Sequence, residues 1–188
     1  MKIFFRIFNA ICYRVQSFLA KLRWGDALVV DGIFRKRADT QVTILDNGKI
    51  TIQRNVSFQR NVSLSAAGEG KLNIGSNVAF NRNCVVVCRK GITIEDDVMF
   101  GPGVTIYDHD HIFSYEGILP GFNHGKITIG KGCWIAANVT ILRGANIGEG
   151  SVIGAGCIVK GTIPPHSLVM SNRELTIIPI ESRSMQNG

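Results

Sequence analysis

Three of the four histidines in this chain, His109, His111 and His124, fall within residues 107–128, and two of them alternate with carboxylates in Tyr107-Asp108-His109-Asp110-His111. Imidazole titrates near neutral pH, so such a histidine can accept a proton from a hydroxyl group. A carboxylate beside it can fix its tautomer and support its charged form. General-base chemistry is therefore one reading of the run. A metal site built from alternating Asp and His is a second, and a solvated polar loop is a third. The five cysteines offer less: there is no Cys-x-x-Cys, and Cys84 with Cys88 lacks a second pair at zinc spacing, so no metal set is expected. An odd cysteine count without a secretory signal fits a reducing, cytoplasmic setting.

The elements that must hold these histidines are set by repetition. Gly48-Lys49-Ile50-Thr51-Ile52 recurs as Gly70-Lys71-Leu72-Asn73-Ile74, Lys90-Gly91-Ile92-Thr93-Ile94 and Gly125-Lys126-Ile127-Thr128-Ile129. From each closing aliphatic residue a six-residue beat places apolar anchors at Ile52, Phe58 and Leu64, then Ile74, Phe80 and Val86, then Ile94, Phe100 and Ile106. It continues through Ile129, Ile135 and Ile141 to Ile147, Ile153 and Val159, giving five units of three hexads. Successive units start 22, 20, 35 and 18 residues apart, and every residue beyond 18 lies after the third hexad. Insertions leave from one corner only. A triangular β-solenoid explains this, because a loop can bulge from a corner without disturbing the ladders above and below.

Corner chemistry agrees. Three residues after the anchors come Asn55, Asn61, Asn77, Asn83, Asp97, Gly103, Gly132, Asn138, Gly144, Gly150 and Gly156, all residue types that tolerate positive φ. The next place holds Val56, Val62, Val78, Cys84, Val98, Val104, Cys133, Val139, Ala145, Ser151 and Cys157, small enough for a narrow prism interior. Residues 1–26 differ in kind: Phe4, Phe8, Ile11, Val15, Phe18 and Leu22 recur at helical spacing among Lys2, Arg6, Arg14, Lys21 and Arg23, with no acid before Asp26. This basic amphipathic helix reads either as a cap on the solenoid or a subunit contact, or as an interfacial helix on an anionic membrane through residues 1–24. The expected organisation is thus a helix over 1–26, a solenoid over 27–170 with the loop 107–128, and a tail over 171–188. A formal charge of +7 invites a nucleic-acid partner, but no aromatic platform or basic recognition helix accompanies it, and none is expected.

The hexads, the long loop after one coil and the passage Gly130-Lys131-Gly132-Cys133-Trp134-Ile135 resemble the hexapeptide-repeat acyltransferases, and Ile74 to Pro165 is similar to the galactoside and maltose O-acetyltransferase branch with its capsule and O-antigen relatives. The resemblance implies an all-β, left-handed parallel β-helix of about five triangular coils, a homotrimer, and acetyl-CoA lying between adjacent prisms. It implies that His111 is the general base on an acceptor hydroxyl and that Asn83, in Phe80-Asn81-Arg82-Asn83-Cys84, contacts the acceptor, with His109 beside it. Trp134 matches a tryptophan near the pantetheine arm, and Ala136, Ala137, Gly154, Ala155 and Lys160 lie on the late coils that would line the cofactor groove. Each also has a plain structural reading, as corner or repeat sequence.

Departures from the family are Val169-Met170-Ser171-Asn172-Arg173 in place of Gly-x-Pro-Ala, His111-Ile112 in place of His-Pro, and the basic helix in place of a helical domain. The last two point to the polysaccharide-modifying branch. The reading is a cytoplasmic O-acetyltransferase acting on a sugar of surface polysaccharide synthesis, peripheral on the inner membrane face if the helix binds lipid. Rivals are an acetyltransferase acting on an antibiotic-like alcohol or an amino sugar, a γ-carbonic-anhydrase-like metalloenzyme, and a catalytically silent scaffold.

Overall fold

Short strands that bury alternate side chains can stack in parallel around a prism, and three such sheets form here. The computed structural model describes residues 11, 14, 15, 18, 19, 22–31 and 39–171. Side one contains Leu28–Val30, Lys49–Ile52, Lys71–Ile74, Gly91–Ile94, Ile127–Ile129, Asn146–Ile147 and Thr162–Ile163, hydrogen-bonded in that order. Side two contains Ser57–Phe58, Ala79–Phe80, Met99–Phe100, Trp134–Ile135, Val152–Ile153 and Leu168–Val169. Side three contains Gln41–Ile44, Ser63–Ala66, Val85–Cys88, Thr105–Tyr107, Thr140–Leu142 and Ile158–Val159.

Register follows the hexad beat. Ile52 lies beside Ile74, Ile74 beside Ile94, Ile94 beside Ile129 and Ile129 beside Ile147, so the five expected units are five complete turns. The count of about five coils is nevertheless short, because partial turns extend the prism at both ends to about six. Val30 and Val42 stack under Ile52 and Leu64, and Ile163 and Val169 stack over Ile147 and Ile153. At the C-terminal end the beat breaks, because Ile163 follows Val159 at four positions and not six.

All eleven residues expected at tight corners have positive φ, between 56° and 80°. The small-residue column behind them is buried throughout. Its one hydroxyl, on Ser151, donates to the Pro164 carbonyl at 3.0 Å and accepts from the Ser167 N–H at 3.1 Å, as a buried polar group must. On side two Phe58, Phe80 and Phe100 stack with centroid separations of 5.1 and 4.6 Å, continuing the ladder in the core. Along one outer edge Asn55 donates to Asn77 at 3.0 Å and Asn77 to Asp97 at 2.9 Å, so corner side chains also form a ladder.

At the N-terminal end Trp24 and Ala27 pack against the core beside the short 3-10 turn Gly25–Ala27, with the Arg23 guanidinium over the indole at 5.0 Å. The preceding described residues are helical. Ile11, Val15, Phe18, Leu19 and Leu22 share one face of that helix and are exposed, whereas Phe4 and Phe8 lie outside the described residues. Among the described residues no helix is long and apolar enough to cross a membrane.

Candidate active site

The insertion leaves the prism where side three turns into side one, after Tyr107. Instead of an open loop it forms an antiparallel hairpin of His109–Ser114 and Gly117–His124, and side one resumes at Ile127. Its base is closed by the Gly125 N–H donating to the Asp108 carbonyl at 2.9 Å. Two neighbouring turns grip it. From the turn before, the Arg89 guanidinium lies over the Phe122 ring at 4.0 Å, a cation–π contact; from the turn after, Arg143 pairs with Asp110.

His109, His111, Phe122 and His124 share one face, because alternate residues of a strand point the same way. Phe122 is its centre, with ring centroids 5.2 Å from His109, 4.8 Å from His111 and 6.2 Å from His124. The histidines surround an aromatic ring. Among the described residues no group of three His, Cys, Asp or Glu side chains is placed to hold a metal ion. His111 is exposed, while the His109 side chain is only 12% exposed.

Beneath His109 lies Asp108, which is fully buried. Its carboxylate accepts the backbone N–H groups of Arg89, Lys90 and Gly91 at 2.8, 2.7 and 2.7 Å, and Oδ1 lies 3.0 Å from His109 Nδ1. Burial opposes the charge. The three N–H groups and the imidazole outweigh it and hold the carboxyl below its ordinary range, so an ionised acceptor sits under His109. Asp108, Arg89, Phe122 and Arg143 were not singled out as site residues from the sequence. The partners of Asp108 lie 17–19 residues earlier, at the preceding corner, where no local pattern reveals them.

The remaining sequence-derived candidates lie elsewhere on the prism. Asn83, Ala136, Ala137, Gly154 and Ala155 line the edge between sides two and three. The Asn83 Oδ1 accepts from Asn61 Nδ2 at 3.0 Å, and the residue has φ of 62°, so its corner role is real whatever else it does. Gly154 has a structural reason too, since a Cβ there would come within 2.9 Å of the Val169 carbonyl oxygen. Trp134 stands half-exposed on side two between Met99 and Val152. Lys160 is exposed on the edge between sides three and one. The fold of one chain thus gathers the histidines on the hairpin, leaves Lys160 on the hairpin's own edge in a later turn, and places the other acceptor and cofactor candidates elsewhere on the prism.

The four described cysteines are buried free thiols. Burial pushes Cys84 up to about 11. Burial and the neighbouring Asp108 carboxylate push Cys88 far up, and burial raises Cys133. None has the electropositive setting of a nucleophilic thiolate.

Residues 126–161 match the model of the bacterial transferase hexapeptide (six repeats). The chain is 39% identical over 131 residues, 69% of its own length and 61% of the relative's, to a Staphylococcus aureus strain MRSA252 protein described as a candidate acetyltransferase. It spans between about half and three-fifths of the length of the curated relatives it matches. The fold is shared with AntD, an N-acyltransferase from Bacillus cereus in complex with dTDP-4-amino-4,6-dideoxyglucose and coenzyme A, at TM-score 0.65 and 22% identity over 81% of this chain and 82% of that one. A galactoside acetyltransferase in complex with coenzyme A superposes with TM-score 0.51 and 28% identity over 76% of this chain and 59% of that one. With five complete six-residue-beat turns in its structure and the family match in its last turns, this chain is a hexapeptide-repeat β-solenoid protein.

Proposed function

We propose that the chain is an acetyl-CoA-dependent O-acetyltransferase that acts on a sugar hydroxyl, in surface-polysaccharide synthesis. The observation that carries this reading is the histidine face of the hairpin, where an exposed imidazole, His111, is fixed against Phe122 and open to an acceptor. The acetyltransferase descriptions of its relatives, and the coenzyme A bound by the galactoside enzyme, give the reaction class. His111 takes the hydroxyl proton as the oxygen attacks the thioester carbon. The new C–O bond forms, a backbone N–H near the hairpin steadies the oxyanion, and collapse breaks the C–S bond and releases the thiolate, which regains the proton from the imidazolium. A covalent acyl-cysteine step has no support among the described thiols.

The reading includes a homotrimer. The hairpin carries Phe113, Tyr115 and Ile118 exposed near its tip, while Asn83, Trp134, Ala136 and Gly154 lie on other faces of the prism. A second copy supplies the surface that the first hairpin lacks, completing the site with the acceptor-contacting Asn83 and the Trp134 that would lie along the pantetheine arm. The exposed apolar face of the N-terminal helix, with its lysines and arginines, supports peripheral attachment to an anionic membrane on the cytoplasmic side.

The test is acetyl transfer from acetyl-CoA to a panel of neutral and acidic sugars, with CoA binding measured in parallel. Transfer by the wild type that collapses in His111→Ala at unchanged CoA affinity supports the reading. CoA binding without transfer to any hydroxyl, or hydration of carbon dioxide dependent on zinc, would remove it.

A further inference from the structure

The repeat phrase contains a residue type that the fold does not require. The glycines of Gly48-Lys49 and Gly70-Lys71 have a steric reason: a Cβ would strike the carbonyls of Ala66 and Cys88 in the next turn. The alternating aliphatic residues fill the core. The lysines do neither. Lys49 and Lys71 are exposed and sit directly opposite each other in the parallel ladder, an arrangement of like charges that works against stability. Lys126 stacks over Gly91, whose own turn supplies Lys90 one residue earlier. Arg143 and Lys160 follow at the same edge in the next two turns. Every turn from the first complete one onward thus brings a cation to the edge where side three meets side one.

None of Lys49, Lys71, Lys90 and Lys126 has an ion-pair partner among the described residues. Asp108 is buried on backbone N–H groups and Asp110 is paired with Arg143, while Asp46 and Glu69 at this edge accept the Gly68 N–H at 3.2 Å and the Asn47 amide at 2.8 Å and keep their charge, so four unpaired lysines face two carboxylates. Lys49 and Lys71 are one strand repeat of about 4.8 Å apart, Lys126 is in register two repeats beyond Lys71, and Lys90 sits one residue before the column at Gly91, a spacing comparable to one or two sugars of an extended glycan. The hairpin leaves the prism from this same edge, immediately before Gly125-Lys126, so the lysine column leads to the foot of the histidine face.

We propose that this edge, formed by Lys49, Lys71, Lys90 and Lys126, is a binding track for an anionic glycan, one whose carboxylate groups recur along the chain. The inference rests on the acetyl-transfer reading for what happens at the hairpin, and it names the acceptor class of that site. The track selects by charge: carboxylates meet the lysine column, and a hydroxyl of the same chain reaches His111. Recognition of this kind is long-range and salt-sensitive, with each surface contact contributing little alone and the column acting together.

Binding tests the track without turnover. Fluorescently labelled oligogalacturonate and a neutral malto-oligosaccharide of equal length are titrated into the full chain at low salt and at higher salt, alongside the variant Lys49→Gln/Lys71→Gln/Lys90→Gln. The wild type is expected to prefer the acidic oligomer at least tenfold, with affinity falling as salt rises, and the variant is expected to lose at least tenfold in that affinity. Its thermal midpoint should be unchanged or higher, because the in-register repulsion is relieved, so a folding defect cannot imitate the result. Equal affinity for both oligomers, or an unchanged variant, overturns the track. Tighter lysine-dependent binding of single-stranded DNA or anionic vesicles than of the glycan overturns the choice of occupant. If the track binds and no acetyl is transferred, the acetyltransferase reading fails while the track stands; transfer equally fast to neutral and acidic sugars gives the reverse.

Discussion

Asp108 and His109 are adjacent in the chain, yet one is fully buried and the other reaches the working face of the hairpin, joined by a 3.0 Å contact between Oδ1 and Nδ1. The carboxyl is held in its ionised form by three backbone N–H donors, so it can only accept, and Nδ1 of His109 must carry the proton. The same carboxylate ties the hairpin root to the preceding corner. It is therefore both an anchor and a tautomer lock.

Replacing the anchor tests that double role. Asp108→Asn puts an amide N–H₂ among N–H donors and should cost about 2–4 kcal/mol in urea unfolding at pH 7. The folded-state pKa of Asp108 lies below its unfolded value, so its contribution is complete above the ordinary carboxylate range near 4 and is lost as pH falls through that range toward the folded value. The gap between wild type and variant should accordingly narrow in acid. A gap that stays constant down to pH 2 would show that the carboxylate charge is not what stabilises the corner.

Exposure separates the two histidines. His111→Ala should lower kcat by about two to four orders of magnitude, the usual worth of a positioned base, with CoA affinity nearly unchanged. His109→Ala should be at least about tenfold milder, since its ring is largely covered and tied to Asp108. Single-turnover rates of both variants, compared with CoA titrations, decide the matter. A severe loss in His109→Ala with a mild one in His111→Ala would transfer the base role to the Asp108–His109 pair.

Much of this fold was legible because each rule of the repeat is local: anchors at six-residue steps, a left-handed corner three residues later, and a small residue next. Asn77, Asp97 and Gly132 could be placed from spacing and residue type alone, and their φ values of 60°, 62° and 67° follow. The hairpin was not legible. His109–Ser114 and Gly117–His124 have no buried face to impose alternation on the sequence, so they read as loop. A carboxylate beside His109 was legible as a tautomer partner, but the burial of Asp108 was not, because only the stacking of turns brings the N–H groups of Arg89, Lys90 and Gly91 over it. The Asp110–Arg143 pair spans 33 residues and likewise arises from stacking.

Thiol chemistry offers an independent check on the mechanism. Cys84, Cys88, Cys133 and Cys157 are buried, so in a Cys12→Ser background the native protein should leave a disulfide reagent unreacted, and four thiols should appear on denaturation. Acetyl transfer should survive iodoacetamide in that background. Fast loss of activity with one equivalent of native-state modification would reopen an acyl-cysteine route.

Corner side chains make a separable contribution. Asn77 has φ of 60°, accepts from Asn55 and donates to Asp97. Asn77→Gly keeps the conformation and loses the ladder bonds, for about 0.5–2 kcal/mol. Asn77→Ala loses the same bonds and adds the left-handed strain of a Cβ, about 1–2 kcal/mol more. Urea midpoints should rank wild type above Asn77→Gly and that above Asn77→Ala. Alanine equal to or better than glycine would show that the corner relaxes.

The N-terminal helix leaves Phe18 62% and Leu22 67% exposed on one face, and basic residues accompany them. An apolar stripe beside positive charge gains free energy at an anionic lipid surface from both terms together, so neither alone should suffice. Phe18→Asp/Leu22→Asp should abolish flotation with phosphatidylserine-containing vesicles and leave the circular dichroism of the solenoid unchanged, because Trp24 and Ala27, which pack against the core, are untouched. Raising salt should weaken wild-type binding, since the lysines and arginines are screened. Light scattering on the same variant distinguishes the other role of the stripe. If the double substitution dissociates an oligomer and the wild type ignores anionic vesicles, the face is a contact between subunits and the membrane reading is lost.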